Sequence, residues 1–381
     1  MKKVAAIMMA LLLVLTLFSG CAGSGKAEIA LITDKGNIDD KSFNQGSWEG
    51  VVAFVEDQSK AGNKISHKYY KPEEANDAGY LEAIDLAVTG GAKVIVTPGF
   101  LFEVPVYEAQ TRYPDVKFIL LDGQPHDPDW NYETKSNVAS ILYAEQESGY
   151  LAGYAAVKDG MTKLGFMGGM AVPAVQAFGY GFLQGAEDAA KELGLEDGAV
   201  SVTYHYTGNF DENDTNKATA KTMYQEGTEV IFACGGSVGK SVMSAAAEAG
   251  KKVIGVDVDQ RYDSETVITS ATKGLGASVY QVLEAIYVKD NWNEFAGKTT
   301  TLNAKNNGVG LPTEVIGDAN ADAFDRMDKF TKSDYDEVFA RLVNGDVVPI
   351  RTIEVADPNG YATADELVNG LSLVKVAPQV R

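Results

Sequence analysis

Along most of this chain a short apolar run is followed by a polar loop and then by apolar residues at helical spacing, and the cycle repeats. The first cycle is AEIALIT, a polar loop from Asp34, and Phe43, Trp48, Val51, Val52 and Phe54 on one helical face. A second strand is predicted at Lys64–Tyr70, followed by helical spacing of Tyr80, Leu81, Ile84, Leu86 and Ala87. Strands at Lys93–Thr97 and Val116–Leu121 flank a helix over Val104–Tyr113. Strands alternating with helices in this way predict a doubly wound parallel half-sheet with right-handed crossovers.

A turn-rich break, HDPDW at His126–Trp130, precedes an extended stretch at Asn137–Tyr143 and a helix over Glu147–Ala156. The alternation then restarts. Strands are predicted at Lys163–Gly168, Ala199–Tyr206, Glu229–Ala233 and Lys252–Val256, with helices at Ala177–Leu193, Thr215–Gln225 and Lys240–Ala249. A strand at Thr266–Thr269 leads into a long helix at about Ala277–Asn293, placed to cross back between lobes. Beyond it, Leu311–Ile316, Val347–Ile350 and Leu373–Val376 read as extended, and Ser333–Asn344 as a helix closed by Gly345. The fold class is therefore α/β with two doubly wound parallel-sheet lobes and a ligand cleft at the hinge. The first lobe spans 27–142, with part of about 277–316 returning to it. The second spans 143–276, with part of about 317–381.

Length supports two lobes, since 381 residues exceed what one core usually organises. The amino terminus stands apart. Lys2 and Lys3 precede an apolar stretch, Val4–Phe18, and then Ser19-Gly20-Cys21, which reads as a leader (1–20) cleaved before a cysteine that is then acylated. The run is too short to span a bilayer. Residues 21–26 form the lipidated Cys21 and a tether, giving an extracytoplasmic protein anchored to the cell membrane through its lipid. Without the leader, 31 basic face 53 acidic residues, a formal charge of −22, which argues against a nucleic-acid partner. Cys234 is then the one unmodified cysteine, and three scattered histidines give no metal spacing, so neither metal nor cofactor is expected.

Three aspartates stand just past predicted strand ends: Asp34, Asp122 and Asp257. Carboxylates so placed point into a cleft and accept hydrogen bonds from paired hydroxyls; each alone would be read as a turn or cap residue. Phe43 and Phe210 occupy analogous loops of the two lobes, where two rings can clamp a flat heterocycle. Asp39-Asp40 reads as a turn and helix start. Gly235–Ser241, GGSVGKS, imitates a nucleophile elbow, but His67, His126 and His205 all precede Ser237, against the order that motif needs. It also misses a phosphate loop, because Cys234 stands where the first glycine belongs. A glycine-rich turn that opens the next helix or brings backbone to the cleft remains. No enzymatic activity is expected.

Four stretches, TDKGNIDDKSFNQGSWEG, LGFMGGMAVPAVQAFGYGF, IFACGGSVGKSV and VIGVDVDQ with TSATKG, resemble the basic membrane protein family of substrate-binding lipoproteins, which includes purine nucleoside receptors of ABC transporters. The resemblance, like the two-lobe plan, implies the type I periplasmic binding protein fold. It implies a base stacked between Phe43 and Phe210, its ring nitrogens met by Asp34 and Asn44, and ribose hydroxyls met by Asp122, Asp257 and Lys273 near the backbone of Gly181. Ala177-Phe178 departs from a charged residue common in the family. The function implied is capture of a purine nucleoside (adenosine, guanosine or inosine) by hinge closure and delivery to ABC permease subunits. A sugar receptor, a signalling or adhesion lipoprotein of the same fold and a nucleoside hydrolase are the alternatives.

Overall fold

The computed structural model describes residues 26–355 and 362–377. The leader, Cys21 and all but the last residue of the tether lie outside them. Strands β1 (Ile29–Ile32), β2 (His67–Tyr70), β3 (Val94–Pro98), β4 (Lys117–Leu121), β5 (Val138–Tyr143) and β11 (Lys298–Leu302) form one sheet in the order β11-β5-β4-β3-β1-β2. Every pairing in it is parallel. Helices α1 (Phe43–Lys60), α2 (Asp77–Thr89) and α3 (Glu103–Arg112) connect its strands. Their apolar faces fill two cores on either side of the sheet, one around Phe54, Leu31 and Ile119, the other around Tyr80, Phe102 and Phe118.

The second sheet runs β12-β10-β9-β8-β6-β7-β13. Its strands are β6 (Lys163–Gly168), β7 (Val200–Tyr206), β8 (Val230–Cys234), β9 (Lys252–Asp257), β10 (Val267–Lys273), β12 (Val309–Gly310) and β13 (Val374–Ala377). Only the pairing of β12 with β10 is antiparallel among those described. Helices α4 (Glu145–Lys158), α5 (Pro173–Glu192), α6 (Asp214–Gln225) and α7 (Val238–Ala249) belong to this lobe. The helices α4 and α5 touch backbone to backbone: a Cβ on Gly149 would lie 2.1 Å from the Phe178 carbonyl oxygen and one on Gly153 2.0 Å from that of Phe182.

The chain passes between sheets three times. It leaves the first after β5, returns after β10 through α8 (Leu275–Tyr287), whose Leu275, Val279 and Val282 enter the first core, and departs again after β11 to pair as β12. The return to the first sheet thus ends by Leu302. Strand β11, KTTTL, has no apolar alternation because it is a half-exposed edge, and its β-branched threonines are its one sequence signal. Two predicted extended segments form no strand. Pro312 and Pro349 each remove a donor that pairing would need, and Ile316 and Val348 are both 79% exposed. Helix α9 (Lys332–Asn344) closes at Gly345 in the left-handed conformation, φ 80°, as its sequence predicts, and a one-turn helix, Ala364–Leu367, precedes β13.

Candidate functional site

The carboxyl ends of β1, β3, β4, β8, β9 and β10 converge on a cavity between the sheets. Past β1, the loop to α1 is built on Asp40. Its Oδ1 accepts from the N–H groups of Ser42 (2.9 Å) and Gln45 (3.1 Å), and its Oδ2 from Asn44 N–H (3.0 Å), which caps the helix start. Asn44 in turn donates from Nδ2 to Asp40 Oδ2 at 2.9 Å and Asp34 Oδ1 at 2.8 Å, and accepts from Asp34 N–H at 3.1 Å. Asn44 lines the cavity with its amide already engaged, and Asp34 is the carboxylate it orients.

Asp122 follows β4, Asp257 is the last residue of β9, and the two share a backbone feature, φ of 56° and 68°. Only a minority of non-glycine residues adopt that region. Here it turns each chain sharply at its strand end and aims both side chains at Lys273, the last residue of β10. The Lys273 ammonium lies 2.5 Å from Asp122 Oδ2, 3.4 Å from Asp257 Oδ1 and 3.9 Å from Glu145 Oε1, with its side chain 2% exposed. It also sits 4.6 Å from the Phe43 ring centroid and 5.3 Å from that of Phe178. From the first lobe, Ser42 Oγ donates to Asp257 Oδ2 at 2.5 Å. Asp122 Oδ1 is buried with no hydrogen-bond partner.

Burial pushes the Asp34 carboxyl up to about 6, aided by the charges of Asp40 and Asp257 and opposed by its bonds to Gly36 and Asn44. Asp122 also rises to about 6, through burial and the Glu145 charge, with Lys273 pulling the other way. Asp257 is raised by burial against the same lysine. Burial works to lower Lys273, but Asp122, Asp257 and Glu145 outweigh it and hold the ammonium above the ordinary lysine range. These carboxylates are therefore short of solvation and gain by accepting hydrogen bonds from a ligand.

Phe43 and Phe210 line the same cavity from opposite lobes. Phe210 is held by a loop whose Asn209 Oδ1 accepts from Asp211 N–H and Asn216 Nδ2, each at 2.9 Å. Its ring lies where a side chain at Gly169 would fall, 2.4 Å from the position of a Cβ. The glycine-rich turn opens α7 and brings Gly235, Gly236 and Ser237 to the cavity wall. Gly236 takes φ 55°, and a Cβ on Gly235 would stand 2.7 Å from the Gly169 nitrogen, so this turn requires glycine on both counts.

Of the sequence-predicted residues, Asp34, Phe43, Asn44, Asp122, Phe210, Asp257 and Lys273 all line this cavity. Gly181 is not brought to it. It lies on the buried face of α5 against α4, where a Cβ would meet the Gln146 carbonyl oxygen at 2.1 Å, so its small size serves helix packing. Sequence reasoning missed Glu145, Ser42 and Cys234. Glu145 stands just past the end of β5 and obeys the strand-end rule that found the aspartates; Ser42 and Cys234 carry no such signal. Cys234 lines the cavity, and burial pushes its thiol well up, so it is an unreactive wall. Among the described residues no cluster of histidine, cysteine and carboxylate side chains is arranged to hold a metal ion.

The lobes meet around the cavity mouth. Lys240 Nζ donates to the Asp39 carbonyl at 3.0 Å, Gln260 Nε2 to the Lys41 carbonyl at 2.7 Å, and Lys41 pairs with Asp263 at 3.6 Å. Two sheet-built lobes joined by three crossings and closed over a polar, aromatic cleft define the type I periplasmic binding protein fold. A solute-binding protein of an ABC transporter system from Aeropyrum pernix superposes with a TM-score of 0.72 at 24% identity, covering 88% of this chain and 94% of that one.

Residues 27–339 match the family described as Bmp, ABC transporter substrate-binding protein PnrA-like, and the chain belongs to that family. It is 32% identical over 332 residues to the ABC transporter nucleoside-binding protein BmpA of Lactococcus lactis, covering 80% of this chain and 88% of that one. It is 29% identical over 315 residues to basic membrane protein A of Borreliella burgdorferi, covering 80% and 86%. Proteins of this family are described as ABC transporter substrate-binding proteins. They act outside the cytoplasm, hold a small-molecule ligand and serve permease partners. No described helix is long and apolar enough to cross a membrane.

Proposed function

We propose that this chain captures a purine nucleoside between its lobes and hands it to an ABC permease, while held at the membrane by a lipid on Cys21. The observation that carries the reading is the convergence of two kinds of group on one cavity. Phenylalanines from both lobes offer stacking surfaces for a flat base. Beside them Asp122, Asp257 and Lys273 form an acceptor-rich cluster for hydroxyls, with Asp122 Oδ1 buried and unpartnered. A sugar uses the second set and leaves one ring idle; a nucleoside uses both. The nucleoside-binding name of the Lactococcus relative agrees.

Base stacking contributes about 1–3 kcal/mol per ring, and each hydrogen bond to a charged group about 1.5–3 kcal/mol. These gains are offset by lost translation and rotation and by desolvation. The balance supports an affinity of about 1 μM or tighter, some −8 kcal/mol.

Purified protein spanning residues 22–381 should be denatured and the released small molecule weighed by mass spectrometry, then refolded protein titrated with inosine, guanosine, adenosine, ribose and galactose. Nucleosides should bind and free sugars should not. Sugar binding with no response to nucleosides overturns the proposal, and release of free base from inosine would make the chain a hydrolase. The mass of the amino-terminal peptide from membrane-extracted protein tests the anchor: diacylglycerol on Cys21 is expected.

A further inference from the structure

The segment that follows α9 runs back across the second lobe and is pinned to α5 by a two-way bond. Gln184 Nε2 donates to the Ile350 carbonyl at 2.9 Å, and its Oε1 accepts from Ile350 N–H at 2.8 Å. That anchor delivers the next residue, Arg351, to the first passage between the lobes. Its Nη1 donates to the Tyr143 carbonyl at the end of β5 at 2.7 Å, to Gln146 Oε1 at 3.3 Å and to Glu145 Oε2. Glu145 is buried, 1% exposed in its side chain. Its other oxygen, Oε1, lies 3.9 Å from Lys273 Nζ, and the Glu145 carboxyl also faces Asp122, whose own carboxyl it helps burial to raise. Arg351 stands outside the span matched to the family, which ends at residue 339.

We propose that Arg351 is a positioning residue for the ligand cavity: by holding Glu145 from behind, it leaves the Lys273 ammonium to Asp122 and Asp257. Three buried carboxylates compete here for one lysine. An unpaired buried carboxylate is far costlier than a shared one, so the arrangement needs a second cation. Among the described residues the ion pairs of Glu145 are with Lys273 and Arg351 alone. Without the guanidinium, the flexible lysine stem turns toward Glu145, and Asp122 and Asp257 lose the charge that keeps them side by side. The residue then acts on ligand affinity without lining the cavity.

The inference rests on the cavity being the ligand site, as proposed above. Its test pairs titration with inosine and crystallography of the ligand-free variant. Arg351→Met should weaken inosine binding about tenfold or more, and adding Glu145→Gln should restore it to within about threefold of the parent, the coupling expected of contacting groups. In crystals of ligand-free Arg351→Met, Lys273 Nζ should have left Asp122 for Glu145. Unchanged affinity in the single variant, a double variant as weak as the single, or an unmoved Lys273 overturns the inference. If the parent protein ignores inosine, the nucleoside reading falls, and the position of Lys273 in the crystal alone decides the role of Arg351.

Discussion

Asp122 and Asp257 hold their carboxylates in place with left-handed backbone, which asparagine tolerates and most other residues resist. Asparagine is therefore the substitution that removes charge without adding strain. Asp257→Asn should lower inosine affinity about tenfold, the loss of one charge-assisted bond, with the melting temperature of the empty protein little changed; calorimetric titration beside a thermal scan checks both. Asp34 supplies a pH prediction. Its folded value, about 6, lies above its unfolded value, 3.8, so its favourable contribution is complete below pH 4 and is lost as pH rises through 6. Relative to Asp34→Asn, the empty wild-type protein should lose on the order of 1–3 kcal/mol between pH 4 and pH 7, measurable by urea unfolding at each pH. Such residues were legible because a carboxylate after an apolar strand has a stated place in this kind of sheet. Glu145 was passed over because it also starts a helix, where acidic residues are common for another reason.

At the scale of elements, the crossing of α4 on α5 accounts for a glycine that the family resemblance had placed beside the ligand. The family resemblance implied ligand-facing backbone near Gly181; Gly181 is one of four glycines, with Gly149, Gly153 and Gly185, at which a Cβ would meet the partner helix's backbone at 1.9–2.1 Å. Gly181→Ala should destabilise the protein by about 1–3 kcal/mol, the usual cost of overpacking, while the fraction that stays folded keeps its inosine affinity. A denaturant titration and a binding titration on the same sample separate the two effects. Strands and helices with strong periodicity were readable to within a few residues throughout both lobes. Among the elements that escaped was β11, an edge with no buried face to impose alternation; the two-residue β12 and the one-turn helix Ala364–Leu367 are too short to show a period. Two apolar stretches were over-read because a proline inside each forbids the pairing that their neighbours invite.

For the whole molecule, the polar contacts between the lobes range from the buried Gln260 side chain on the Lys41 carbonyl to the exposed bond from Lys240. Lys240 reaches the Asp39 carbonyl from the opposite lobe with no part in the cavity lining. Lys240→Met should leave the association rate of inosine nearly unchanged and speed its release about threefold to tenfold, since loss of an exposed closing contact acts on dissociation; stopped-flow fluorescence of the cavity's surroundings reads both rates. The two-lobe plan itself could be read from the restarted alternation of strand and helix. The number and position of the passages could not, because the third follows a strand that the apolar pattern does not announce.

Those passages also fix the order in which the molecule can be made. The amino-terminal sheet lacks its outer strand, and one of its covering helices, until Leu302 has left the ribosome, by which point β6 to β10 of the other sheet are already synthesised. Neither half is a contiguous stretch of chain, so no single cut yields two self-sufficient pieces, and the halves must ripen together.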